Sequence, residues 1–155
     1  MSRKYFFLVV SVLLTAASHV YAEEEKRTPV EEFRYITKWS LTLCQDKAKS
    51  SFHKVEMAEF TGRPFTYQEA DSEINACLKE VRVEVKKLFP KANTQIANKP
   101  AASKLLKEYY VVWLTALDDI PLGAGELMTT YYKRQNDASH RATDAWYRFE
   151  IEANF

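Results

Sequence analysis

The sequence predicts an all-α fold: a four-helix up-down bundle, with room for an extra short helix, that carries one disulfide. Apolar residues recur at helical spacing in four long segments. All five prolines and all three glycines fall between those segments. Inside a helix Pro costs about 3 kcal/mol and Gly about 1 kcal/mol, so their positions favour helices throughout. The cysteines number two, an even count that allows one bridge.

The N-terminus has the layout of a cleavable secretory signal peptide. Arg3 and Lys4 precede an apolar run from Tyr5 to Ala17, and Val20-Tyr21-Ala22 supplies small residues at the minus three and minus one positions. The run is about 13 residues long, shorter than the roughly 20 that span a bilayer. We therefore expect the protein to be exported and cleaved after Ala22.

Cleavage divides the chain into a signal peptide, residues 1–22, and a single α-helical domain, residues 23–155. We expect the domain to be periplasmic or secreted, without membrane insertion after cleavage. The whole chain has 22 basic and 21 acidic side chains; removing Arg3 and Lys4 leaves 20 and 21. Nucleic-acid binding depends on a basic excess, so no nucleic-acid partner is expected.

Cys44 and Cys77 are expected to form a disulfide, because exported proteins meet oxidising conditions. The bridge closes a loop of 34 residues, which chain entropy makes worth about 3.5 to 4 kcal/mol. The 32 residues between the cysteines exclude a CxxC redox pair, a c-type haem attachment and a zinc knuckle.

Two capping boxes mark the starts of the first two helices. Thr28 with Glu31 begins a helix that runs to about Phe60, and Thr66 with Glu69 begins a second one. Pro90 is expected to end this second helix. The predicted inner faces are Phe33, Ile36, Ser40, Leu43, Cys44, Ala48, Phe52 and Val55 in the first helix, and Tyr67, Ala70, Ile74, Cys77, Val81, Val85 and Leu88 in the second.

These helix boundaries conflict with the predicted disulfide. Cys44 lies 16 residues before Phe60, whereas Cys77 lies 11 residues after Thr66. In an antiparallel hairpin the difference is about 7.5 Å along the axes, more than the roughly 4.4 to 6.8 Å that separates bridged Cα atoms. Either the first helix ends a turn early, near Met57, or it bends, or the two helices cross at an angle.

The second half of the chain contains two more helices. Residues 91–99 form a linker or a helical turn, and the third helix runs from Pro100 or Ser103 to Ile120. Its centre, 109–114, is apolar all round, which indicates burial on most sides or a subunit interface; both readings, and a homo-oligomer with them, stay open. The fourth helix begins after Gly125, and its inner face is Leu127, Tyr131, Ala138, Ala142, Ala145, Trp146 and Phe149.

The predicted domain has little catalytic or metal-binding potential. His53 and His140 would lie about 10 Å apart along the bundle axis, so neither a metal nor another cofactor is expected. Met57 and Met128 fit core positions, and Asp119 fits an N-cap for the segment that follows it. The chain also lacks the sequence motifs of hydrolases, phosphate loops and zinc proteases. We therefore expect a protein that is not an enzyme.

Four aromatic residues lie off the predicted inner faces: Tyr35, Trp39, Tyr132 and Tyr147. Such residues either flank a broad core or form a partner-binding surface, since Tyr and Trp are enriched at interfaces. In form, a small exported helical domain with one disulfide is similar to periplasmic inhibitor and immunity proteins. The favoured function is a non-enzymatic binding protein of the cell envelope, such as an inhibitor or toxin-immunity protein, that contacts another envelope or extracellular protein. The alternative is a periplasmic metal- or cofactor-binding helical bundle.

Overall fold

The computed structural model describes residues 27–62, 66–123 and 126–154. It contains helices α1 (Pro29–Thr61), α2 (Tyr67–Gln95), α3 (Pro100–Asp118) and α4 (Met128–Ala153), and the described residues include no strand. One hairpin is formed by α1 and α2 and the other by α3 and α4, and the two hairpins enclose one hydrophobic core. The prediction of an all-α four-helix bundle is confirmed. The predicted signal peptide lies outside the described residues.

Both predicted capping boxes are present. Thr28 Oγ1 accepts a hydrogen bond from the Glu31 backbone N–H, and the Glu31 carboxylate accepts one from the Thr28 N–H at 2.7 Å. This bond to Thr28 lowers the pKa of Glu31. Thr66 and Glu69 make the same pair of bonds at the start of α2. At the end of α1, Gly62 takes the left-handed conformation, with φ at 67°, that a side chain would disfavour.

The Cys44–Cys77 disulfide is present and joins α1 to α2, with 5.8 Å between the two Cα atoms. The prediction that α1 ends early, near Met57, is wrong, because the helix continues to Thr61. The different distances of the two cysteines from the turn are therefore met by how the whole helices are placed against each other. Neither helix is shortened to form the bridge.

Pro90 lies inside α2, so the prediction that it ends the helix is wrong. The helix continues to Gln95, and the predicted linker 91–99 shrinks to a turn at 96–98 before α3. The Pro90 ring is exposed, whereas Ala92 and Ile96 beyond it are buried in the core. Burial of this last turn offsets the hydrogen bond that proline cannot donate. A tertiary contact thus overrides a local helix breaker.

The third helix is confirmed, but its centre is not buried all round. Tyr109 and Trp113 are inaccessible to solvent, whereas Val111 is 61% exposed on the opposite side. The buried side joins the two hairpins through α1: the Tyr109 hydroxyl and Thr37 Oγ1 are hydrogen-bonded at 2.6 Å, and Trp113 Nε1 donates to the Thr37 carbonyl at 2.8 Å. These bonds satisfy polar groups that would otherwise be buried without partners.

Single positions of the predicted inner faces also differ. Leu41, not Leu43, is buried in α1, and Leu43 is exposed. Tyr67 and Leu127 are exposed because each stands at the first turn of its helix, where no neighbouring helix covers it. In α4 the core also includes Gln135, which the apolar pattern could not indicate.

Tyr131 and Trp146 bury polar atoms without a hydrogen-bond partner among the described residues. Tyr131 is inaccessible to solvent and packs edge-on against Phe52. Because burial favours the neutral phenol, it raises the pKa of Tyr131 from 10 to about 12. Ionisation of this hydroxyl therefore opposes folding.

We expect Tyr131→Phe to leave stability at pH 7 unchanged or slightly raised, because the lost hydroxyl bonds to nothing. In the wild type, the unfolded chain loses the Tyr131 proton near pH 10 and the folded chain only near pH 12. Stability conferred by the neutral phenol is thus full below pH 10 and falls as the pH rises towards 12. Urea unfolding between pH 7 and 12 should show a shallower decline in the variant.

The matched control is Tyr109→Phe, which removes a hydroxyl that does have a partner. It should cost about 1 kcal/mol at pH 7. Equal effects of the two substitutions at pH 7, or an unchanged alkaline decline in Tyr131→Phe, would contradict this account of Tyr131.

Candidate functional site

The four aromatic residues that the sequence placed off the core are all exposed. Tyr35, Trp39, Tyr132 and Tyr147 have between 42% and 55% of their surface accessible. Each ring thus has one side against the protein and one side in water, as do the aromatic residues that anchor protein interfaces.

Three of these residues lie at the same end of the face formed by α1 and α4. The Arg34 guanidinium on α1 lies 4.7 Å from the centre of the Trp146 ring on α4. Tyr35 and Tyr147 follow these two residues directly, so they stand at the same level of the bundle. Trp39 lies one turn further along α1, on the side of the helix that carries Tyr35.

Tyr132 lies apart from the other three. It is 15 residues from Tyr147, which is about 22 Å along the axis of α4, and its ring packs on Tyr131 at 5.7 Å between centroids. Helical spacing alone could not show this separation, because both residues lie off the inner face.

Two exposed aliphatic residues extend the aromatic group, and the sequence analysis missed their role. Leu43 follows Trp39 by four residues and Ile151 follows Tyr147 by four, so each continues a row along its helix. They are 39% and 78% exposed. The i, i+4 spacing was the signal that could have found them. We call this group the α1–α4 aromatic surface: Tyr35, Trp39, Leu43, Tyr147 and Ile151.

Contacts below this surface hold α1 and α4 in place. Gln45 Nε2 on α1 donates to Ser139 Oγ at 3.0 Å and to Gln135 Oε1 at 3.2 Å on α4. One to two turns further along, Phe52 packs edge-on against Tyr131. The two rows are therefore carried by packed helices rather than by loops, which lowers the entropy that binding would cost.

The charged groups near the α3–α4 connection are used to anchor that connection. Arg134 donates to both oxygens of the Glu126 carboxylate, at 3.0 and 2.5 Å, and to the carbonyls of Asp119 and Pro121. Arg134 thereby lowers the pKa of Glu126. Asp119 is the C-cap of α3, so its predicted role as an N-cap is wrong; its carboxylate accepts from Arg141 at 2.9 Å.

The two histidines are exposed and lie on different helices. His140 directly follows Ser139, whose contact with Gln45 sets its level in the bundle. His53 lies eight residues beyond Gln45, about 12 Å along α1, and its Nδ1 is 3.7 Å from a Glu56 oxygen. Within the described ranges, no three His, Cys, Asp or Glu side chains are grouped as metal ligands.

Another set of exposed apolar residues lies at the far end of the bundle. Met57 is 44% exposed, so its predicted core position is wrong, whereas Met128 packs against the core as predicted. Phe60, Tyr67 and Leu127 are also exposed there. They adjoin residues 63–65 and 124–125, which lie outside the described chain. None of the helices described here is long and apolar enough to cross a membrane.

Comparison with known proteins adds no functional information: no protein family, curated protein or solved structure matches this chain. The functional argument therefore depends on the surfaces described above.

Proposed function

We propose that this protein is an exported, non-enzymatic binding protein of the cell envelope, and that it contacts another envelope or extracellular protein through the α1–α4 aromatic surface. One observation carries the proposal: five exposed apolar side chains form two rows on adjacent, packed helices. Trp and Tyr are the residues that most often dominate binding energy at protein interfaces. An inhibitor or toxin-immunity protein is the kind of binding protein that this surface suits.

The dimensions of the surface fit the centre of a protein interface. Tyr35 and Leu43 are eight residues apart, so the row on α1 is about 12 Å long. Burying its exposed rings would release water from apolar area without ordering a flexible loop. A standard interface covers about 800 Å² on each partner, so the polar residues around the two rows would form its rim.

Export is supported by two independent features. The first 22 residues have the pattern of a signal peptide, and Cys44 and Cys77 are paired, as is usual in oxidising compartments. Both features favour a partner in the periplasm or outside the cell.

We expect Trp39→Ala and Tyr35→Ala each to weaken partner binding at least 10-fold, and by about 30-fold if either is a hot spot of 2 kcal/mol. Each removes an exposed ring and leaves the core intact. The measurement is affinity capture from envelope extracts with the immobilised protein, followed by titration of the captured protein.

The matched control is Tyr132→Ala, since this ring is similarly exposed but lies about 22 Å from Tyr147. It should leave binding unchanged. The proposal fails if no specific protein is captured by the wild type. The assignment of the surface fails if the control weakens binding as much as Trp39→Ala, with all variants folded by circular dichroism.

A further inference from the structure

An open groove with a volume of about 480 Å³ lies on the outer side of α3, where α4 passes beside it. Val111 and Val112 form its apolar floor, and Val111 is the most exposed residue of the apolar segment 109–114. This is the part of the segment that the core does not use. The lining residues are Lys104, Lys107, Glu108, Val111, Val112 and Arg148.

The rim of the groove is positively charged. Three lining residues are cations and Glu108 is the one carboxylate, so the lining has a net charge of +2, the difference of three and one. Lys104 lies 4.0 Å from Glu108. Lys107 and Arg148 have no ion pair with any described residue, so their charges are available to an anion.

Charge and size decide what the groove accommodates. A two-fold contact with a second copy of the chain would place a lining of +2 against another of +2, which is unfavourable. A protein interface uses about 20 to 30 residues on each side, many more than line this groove. A volume of about 480 Å³ instead falls within the range of small-molecule sites.

We propose that this groove binds a single-chain amphiphilic anion, with its carboxylate or sulfate head between Lys107 and Arg148 and its hydrocarbon chain over Val111 and Val112. The guanidinium can bond both oxygens of a carboxylate. The aliphatic parts of the lysine and arginine side chains extend the apolar floor, because such side chains keep only their charged ends in water. The ligand is taken up as a dissolved monomer, not as part of a membrane.

The test is calorimetric titration of the purified exported protein with laurate below its micelle concentration. Dodecyltrimethylammonium, which has the same chain length and the opposite charge, is titrated in parallel. We expect laurate to bind and the cation to bind at least 10-fold more weakly. The double variant Lys107→Glu/Arg148→Glu should weaken laurate binding at least 10-fold.

The matched control is Lys86→Glu/Lys87→Glu, which changes the net charge equally at two exposed sites on α2. It should leave laurate binding within about two-fold. The proposal is overturned if laurate does not bind, if both amphiphiles bind equally, or if the control weakens binding as much as the groove variant. It is also overturned if vesicles of anionic phospholipid bind while monomeric laurate does not, since that result identifies a membrane contact.

Discussion

Replacing Cys44 and Cys77 together with alanine should lower the free energy of unfolding by about 3 to 4 kcal/mol. The disulfide joins α1 to α2 across 33 positions of sequence, and without it the unfolded chain gains the conformations that the closed loop excludes. Both cysteines are buried, so alanine avoids placing a new polar group in the core. Urea unfolding at pH 7, followed by circular dichroism, gives the difference directly.

Reduction of the wild type with dithiothreitol is the control, because it breaks the bridge without changing the sequence. It should give a loss of similar size. A loss below about 1 kcal/mol in both experiments would show that the hairpin of α1 and α2 is held by packing alone. The bridge would then contribute little to stability.

Trp113→Ala should cost about 3 to 5 kcal/mol, the usual range for a fully buried tryptophan or phenylalanine. Trp113 is inaccessible to solvent, stacks near Tyr110 at 6.0 Å between centroids, and donates to the Thr37 carbonyl. The substitution therefore leaves a cavity between the two hairpins and an unsatisfied acceptor on α1. Urea unfolding at pH 7 measures this loss as well.

The matched control is Trp39→Ala, the same substitution at an exposed site, which should change stability by no more than about 0.5 kcal/mol. Trp113→Phe keeps much of the volume but removes the donor, so it separates the two causes; we expect about 1 to 3 kcal/mol from the unpaired carbonyl. A cost below about 2 kcal/mol for Trp113→Ala would contradict the view that this residue holds the hairpins together.

The starts of the first two helices could be predicted because their signals are local. The capping boxes of Thr28 with Glu31 and Thr66 with Glu69 act within four residues, and the structure contains both. Helical periodicity likewise located α3 and α4 to within a few residues of their ends. These features depend on backbone geometry that the neighbouring residues set.

The errors occurred where a contact distant in sequence outweighed a local signal. Pro90 is a helix breaker by propensity, yet Ala92 and Ile96 beyond it are buried and α2 continues. Asp119 has the residue type of an N-cap, but it ends α3 and accepts from Arg141 on α4. Neither outcome depends on the residues next to the one in question.

The candidate surfaces divide in the same way. That Tyr35, Trp39, Tyr132 and Tyr147 lie off the core followed from their angular positions on single helices. Which of them stand together did not follow, because it depends on how α4 packs against α1. The groove beside Val111 likewise exists only because Arg148 of α4 passes next to it.

The sequence by itself determined the helices, two of their caps, the pairing of two cysteines and the exposure of the off-core aromatics. Each of these depends on interactions within about one helical turn, or on a count of one residue type. Only the tertiary structure decided the continuation of α2, the grouping of three aromatics with Leu43 and Ile151, and the cationic groove on α3. These features arise between helices, where relative placement is set by the packing of the whole core.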